Sequence, residues 1–151
     1  MKHLELKVPP PIVGLIFACL MWAVSNGTNT LDFEFPLSLV VILVSIGVCF
    51  DVSALLSFRK ARTTINPLKP ASTSLLVTTG VYRITRNPMY VGLVFFLLAW
   101  GMYLGSILSL VCVPPFIAYL CTFQIFPEER ILEEKFGSDY LSYKNSVRRW
   151  L

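Results

Sequence analysis

The side chains able to do polar chemistry gather in two short segments. One is GVYRITRNPMYVG, which supplies Tyr82, Arg83, Arg86, Asn87 and Tyr90; the other is FPEER, which supplies Glu128 and Glu129. Between them run 37 residues, Tyr90 to Phe126, without a single charge. Asn87 suits a helix N-cap and Pro88 the first helical position, so the free N–H groups of an apolar helix should open toward a basic loop. Such an opening attracts anions. If the uncharged stretch crosses a bilayer and returns, both polar segments lie on one side and converge.

The inventory excludes several chemistries. His3 is the only histidine and sits near the N-terminus, which argues against imidazole acid–base catalysis, histidine metal ligation and a Ser-His-Asp triad. No G-x-G-x-x-G or G-x-x-x-x-G-K-[ST] segment occurs, so the usual dinucleotide and P-loop signatures are missing. Cys19, Cys49, Cys112 and Cys121 fall inside apolar segments without metal-ligand spacing and are expected to pack as small apolar side chains; no metal site is expected. What remains is Asn, Tyr, Arg, Glu and backbone amides. Such groups position a charged cofactor better than they move protons.

The elements that must position these groups are membrane helices. The chain is 55% hydrophobic, with a mean hydropathy of +0.66, outside the range of soluble globular domains. Its 151 residues are expected to form one all-α integral membrane domain, 1–151, with four transmembrane helices at about 11–25, 36–58, 90–104 and 107–126. A cytosolic loop, 59–89, and a tail of interfacial helices, 127–151, would build the site. All 13 Lys and Arg residues fall before the first span, between the second and third, or after the fourth. The positive-inside rule then puts both termini in the cytoplasm. The net charge of +4 fits this topology and attraction to anionic membrane lipids rather than nucleic acid. Residues 2–25 also resemble a cleavable signal peptide, whose removal would leave the downstream orientation unchanged.

Asp51 interrupts the second span and shares a helix face with Gly47, Ala54 and Phe58. An intramembrane carboxylate either lines a polar cavity or locks helix packing through a neighbour, and both readings stand. The Pro114-Pro115 pair should kink the fourth span. Pro127 can open a short helix that Gly137 closes, and Ser138 can cap a second one. In that second helix Tyr140, Tyr143, Val147 and Trp150 share a face expected to anchor at the cytosolic interface.

Three segments in this order, TTINPLKP, LLVTTGVYRITRNPMYVG and FPEERILEEKFGSDYLSYKNSVRRWL, resemble the isoprenylcysteine carboxyl methyltransferase and phospholipid methyltransferase superfamily in its short bacterial form. The likeness runs from about Thr63 to Leu151. It implies S-adenosyl-L-methionine-dependent methyl transfer to a lipophilic small molecule or lipidated acceptor, in a bacterial inner membrane. Carried over by position, the cofactor contacts are Ser74, Leu75, Leu76, Val77, Tyr82, Asn87, Pro88, Met89, Tyr90 and Glu128. The methionyl carboxylate suits Arg86 and the amides near Asn87, Glu128 suits the amino group or a ribose hydroxyl, and Tyr82 and Tyr90 can face the sulfonium. Alternatively, Arg83 and Arg86 contact phosphate headgroups and Glu128 caps a helix. Tyr90 and Glu128 are the catalytic candidates, with Asp51 and Gln124 expected near the acceptor. Departures from the family pattern are Asn87 and Ser74 in place of His, and Gln124 in place of the Arg that engages a prenylcysteine carboxylate. Two other readings keep the scaffold: a nicotinamide-dependent enzyme similar to sterol reductases, or a non-catalytic accessory protein that binds lipid.

Overall fold

The computed structural model describes residues 5–27, 33–61 and 75–151. Within them every regular element is a helix. In a bilayer only internally hydrogen-bonded backbone is tolerated, and long apolar sequence meets that demand as helix. Helix α1 is Pro10–Gly27, α2 is Leu37–Ala61 and α3 is Pro88–Tyr103, followed by α4, Ile107–Leu110, and α5, Val113–Leu120. A π-helical turn, Cys121–Ile125, leads into α6, Phe126–Phe136, and α7 is Ser138–Ser146. Three stretches are long and apolar enough to cross a membrane: Pro10–Gly27, Leu37–Ala61 and Ile107–Phe136. Pro88–Tyr103 is a shorter apolar helix. Leu15, Ile16, Trp22, Leu37, Val41 and Ile42 are all exposed on α1 and α2. Apolar faces of this extent suit hydrocarbon, and the chain is an integral membrane protein.

Helices α2 and α3 meet through small residues. A Cβ on Gly47 would come within 2.7 Å of the Phe96 ring, and one on Gly92 would collide with Asp51 Oδ1. Only hydrogen at position 92 lets the carboxylate lie against the α3 backbone. Helix α1 closes the other side of α3. Trp100 Nε1 donates to Ala18 O at 3.0 Å, and Ser109 Oγ donates to Met21 O at 2.7 Å.

The prolines break the last long helical stretch where their chemistry requires it. Pro114 and Pro115 lie in the first turn of α5, where free N–H groups are not needed. The break therefore falls ahead of the pair, at Val111 and Cys112, rather than as a kink within one helix. Pro127 has no N–H to offer the carbonyl four residues back, Phe123. The helix widens there into the π turn, and the freed Phe123 carbonyl accepts from Leu6 N at 3.0 Å instead. Gln124 Nε2 donates to Val8 O at 2.7 Å, and Glu5 pairs with Arg130.

Residues 5–8 thus form a strap across the π turn. Two hydrogen bonds of ~1 kcal/mol each and an exposed ion pair of ~0–1 kcal/mol hold it, against ~1–2 kcal/mol for the left-handed backbone at Leu6 (φ 55°). The strap is weakly held. Pro127→Ala supplies the missing N–H as a rival for the Phe123 carbonyl. Hydrogen exchange should then show the Leu6 amide losing protection by about fivefold, the worth of one hydrogen bond; unchanged protection would mean that the proline does not create the strap's anchor.

Candidate active site

The polar residues of the loop are organised by the last five residues of the chain. Arg86 N donates to Arg148 O at 2.9 Å, while Thr85 Oγ1 and Asn87 Nδ2 donate to Arg149 O at 3.1 and 3.0 Å. Asn87 does occupy the N-cap position and Pro88 the first turn of α3, but the Asn87 side chain makes no capping hydrogen bond. Its amide is spent on fastening the C-terminal segment. The α3 start, the loop and the tail become one unit.

Across the hairpin, Tyr90 Oη donates to Glu128 Oε2 at 2.9 Å. This contact joins the first turn of α3 to the first turn of α6, 38 residues apart in sequence. Next to it, Glu129 is buried and receives two guanidinium groups: Arg86 Nη2 at 3.0 Å and Arg149 Nε and Nη2, each at 2.9 Å. The bidentate bond to Glu129 pushes the Arg149 pKa up. One carboxylate faces two cations, and Glu128 is the second acid beside them. Among the described residues, Arg86 Nε and Nη1 are buried without a hydrogen-bond partner. That is capacity for an anion.

Tyr82, in the 3₁₀ turn Gly80–Arg83, is buried beside Val77, Ala54, Tyr140 and Tyr143. Tyr143 Oη donates to Tyr82 O at 2.7 Å, and the Phe58 ring meets the Tyr82 ring edge-on at 5.5 Å. Burial pushes the Tyr82 hydroxyl well above its ordinary pKa, and the charges of Glu128, Tyr143 and Asp51 push it further the same way. Burial likewise raises the Tyr143 hydroxyl, while the Arg86 charge pulls it back. Tyr140 and Tyr143 are core residues of the site rather than anchors on the membrane surface, and α7 ends at Ser146, before Val147 and Trp150 can extend their shared face. The α7 start has Gly137 at the cap position, with φ 52°, in place of a capping Ser138.

The residues singled out in the sequence fall into three groups. Tyr82, Arg86, Asn87, Tyr90 and Glu128 are brought together, with Pro88 buried and Leu76, Val77 and Met89 packed around Tyr82. Leu75 is exposed, and Ser74 lies outside the described residues. Asp51 and Gln124 lie in apolar helical segments: Asp51 against Gly92 and Gln124 fully buried under the strap, their Oδ1 and Oε1 without a hydrogen-bond partner among the described residues. Glu129, Arg149, Thr85 and Tyr143 were not singled out as site residues. The signal for the first two was their charge, since an acid at the end of an apolar span and a terminal Arg pair each need a partner.

Comparison with known proteins bears on the family of the chain. The profile of the phospholipid methyltransferase family matches residues 36–139. Over 63 residues the chain is 49% identical to an uncharacterised protein of Haemophilus influenzae, covering 42% of this chain and 100% of that protein. Over 82 residues it is 39% identical to the protein-S-isoprenylcysteine O-methyltransferase of Saccharomyces cerevisiae, covering 52% of this chain and 33% of the yeast protein. The chain thus spans about a third of the length of that relative. No solved structure matches it.

Proposed function

Because the chain belongs to the phospholipid methyltransferase family, we propose that it is an S-adenosyl-L-methionine-dependent methyltransferase acting at the cytosolic membrane face on a lipophilic acceptor, an isoprenylcysteine-type carboxylate or a lipid-like molecule. The observation that carries this reading is the 2.9 Å bond between Tyr90 and Glu128. It draws the two ends of an uncharged helical hairpin close enough to touch one small molecule. In this reading the chain crosses a bacterial inner membrane four times, with both termini cytoplasmic.

The residues present fit the cofactor. The unpartnered Arg86 Nε and Nη1 suit its carboxylate, Glu128 its amino group or a ribose hydroxyl, and Tyr82 and Tyr90 its sulfonium. The family resemblance adds Ser74 to Val77 and Asn87 to Met89 as further cofactor contacts. When bound, the cofactor supplies an electrophilic methyl group. The protein's part is to hold the acceptor in line with it and keep water out. The cofactor enters from the cytosol and the acceptor between helices from the bilayer.

Purified protein incubated with methyl-labelled cofactor and total bacterial membrane lipids should transfer label to a species extracted into organic solvent. Label confined to the aqueous phase, with folded protein, would overturn the proposal.

A further inference from the structure

Arg86 is gripped at its backbone and at its side chain by the same two residues, Arg148 and Arg149. Its N–H donates to Arg148 O at 2.9 Å, and the residues on either side, Thr85 through Oγ1 and Asn87 through Nδ2, both donate to Arg149 O. Thr85 is fully buried, and its hydroxyl also accepts the Asn87 N–H at 3.2 Å. One hydroxyl thus ties the peptide on both flanks of Arg86 to the C-terminal segment. At the other end, Arg86 Nη2 meets Glu129 Oε1 at 3.0 Å, and the same oxygen accepts from Arg149 Nε while Oε2 accepts from Arg149 Nη2, each at 2.9 Å. Arg149 also lies over the Phe126 ring, its guanidinium carbon 4.7 Å from the centroid. It is braced through ring, carboxylate and carbonyl.

These contacts set a direction. A two-point bond between guanidinium and carboxylate fixes the plane of both groups, so Arg149 decides how Glu129 presents Oε1 to Arg86. The Arg86 guanidinium is planar with its donors at fixed angles, and anchoring Nη2 therefore aims the donors left over. Those are Nε and Nη1, buried and without a hydrogen-bond partner among the described residues. The Arg149 side chain is 33% exposed and that of Arg86 8%. The outer arginine aims the inner one. A lysine at position 149 would keep the charge but could not fix the plane.

Resting on the methyl-transfer reading, we propose that Arg149 and Thr85 are positioning residues for the cofactor: Arg149 through Glu129, and Thr85 through the backbone, hold Arg86 with its free donors aimed at the methionyl carboxylate. Their effect is confined to ligands that carry that carboxylate. Residues that only stabilised the fold would weaken every ligand alike.

Binding is measured by calorimetry on the full-length protein in phosphatidylcholine nanodiscs, with S-adenosyl-L-methionine and with its decarboxylated analogue, which keeps the adenosine, sulfonium and amine and lacks the carboxylate. Arg149→Lys should weaken S-adenosyl-L-methionine binding about tenfold and Thr85→Val about fivefold, while binding of the analogue changes by less than about twofold in each. Thr85→Ser, which keeps the hydroxyl, should bind both ligands as the wild type does. Parallel losses for the two ligands, no loss for either, or a loss in Thr85→Ser equal to that in Thr85→Val would overturn the inference; should Arg149→Lys fail to fold, the Thr85 pair decides it. Wild-type protein that binds the two ligands equally would overturn it as well, since Arg86 would then not receive the carboxylate. If the wild type prefers S-adenosyl-L-methionine and the variants show no ligand-selective loss, only the positioning falls; if the wild type binds neither ligand, the methyl-transfer reading falls and takes the inference with it.

Discussion

Glu129→Gln should destabilise the protein by about 3–5 kcal/mol, the cost of leaving a buried charge without its counter-ion. Glu129 is the only acidic group holding Arg86 and Arg149 among the described residues, and Arg86 is as buried as Glu129 itself. Removing that charge strands one deeply buried guanidinium and frees another to pull away. The loss extends beyond the ion pairs, because Arg149 also places the backbone carbonyl that receives Thr85 and Asn87. Unfolding in denaturant should show the drop, and Glu129→Gln combined with Arg86→Met should recover part of it by removing the stranded cation. A stability change under 1 kcal/mol in the single variant would mean that water reaches the cluster and that the tail is held by other contacts.

Glu128→Gln should behave in the opposite way. Among the described residues Glu128 receives one hydrogen bond, from Tyr90, and no ion pair, and a Gln oxygen can still accept it. Stability should therefore change little. Binding should not survive so well, because a charge-assisted bond to the cofactor's amino group or hydroxyl is worth about 1.5–3 kcal/mol, or roughly 10–100-fold in affinity. The adjacent carboxylates divide the work. Glu129 faces inward to two arginines; Glu128 faces Tyr90 across the hairpin and, in the proposed function, is the carboxylate that binds.

This division shows what the sequence could and could not reveal. The Tyr90–Glu128 junction was legible because an uncharged run has only one economical arrangement in lipid, a hairpin whose polar ends return together. The boundaries of α1, α2 and α3 fell within a few residues of the expected spans for the same reason. The roles of Asn87, Tyr140 and Tyr143 were not legible. Cap propensity says that Asn87 favours a helix start, but the C-terminal segment is a stronger claimant for its amide, and that segment is distant in sequence. Tyr140 and Tyr143 have the spacing of interface anchors, and only tertiary packing against Tyr82 reveals that they are covered. The π turn follows from Pro127 once the missing N–H is traced to Phe123, yet the residue that takes the freed carbonyl, Leu6, lies at the other end of the chain. Local chemistry identifies a vacancy in the hydrogen bonding; the fold decides what fills it.

The most direct measurement is the thermal unfolding of detergent-solubilised wild type and Glu128→Gln during titration with S-adenosyl-L-methionine. Wild type should gain Tm at cofactor concentrations below about 1 mM, with the variant needing about 10–100 times more. No gain in the wild type at millimolar cofactor, in protein that unfolds cooperatively, would contradict the claim that the Tyr90–Glu128 junction holds a methyl donor.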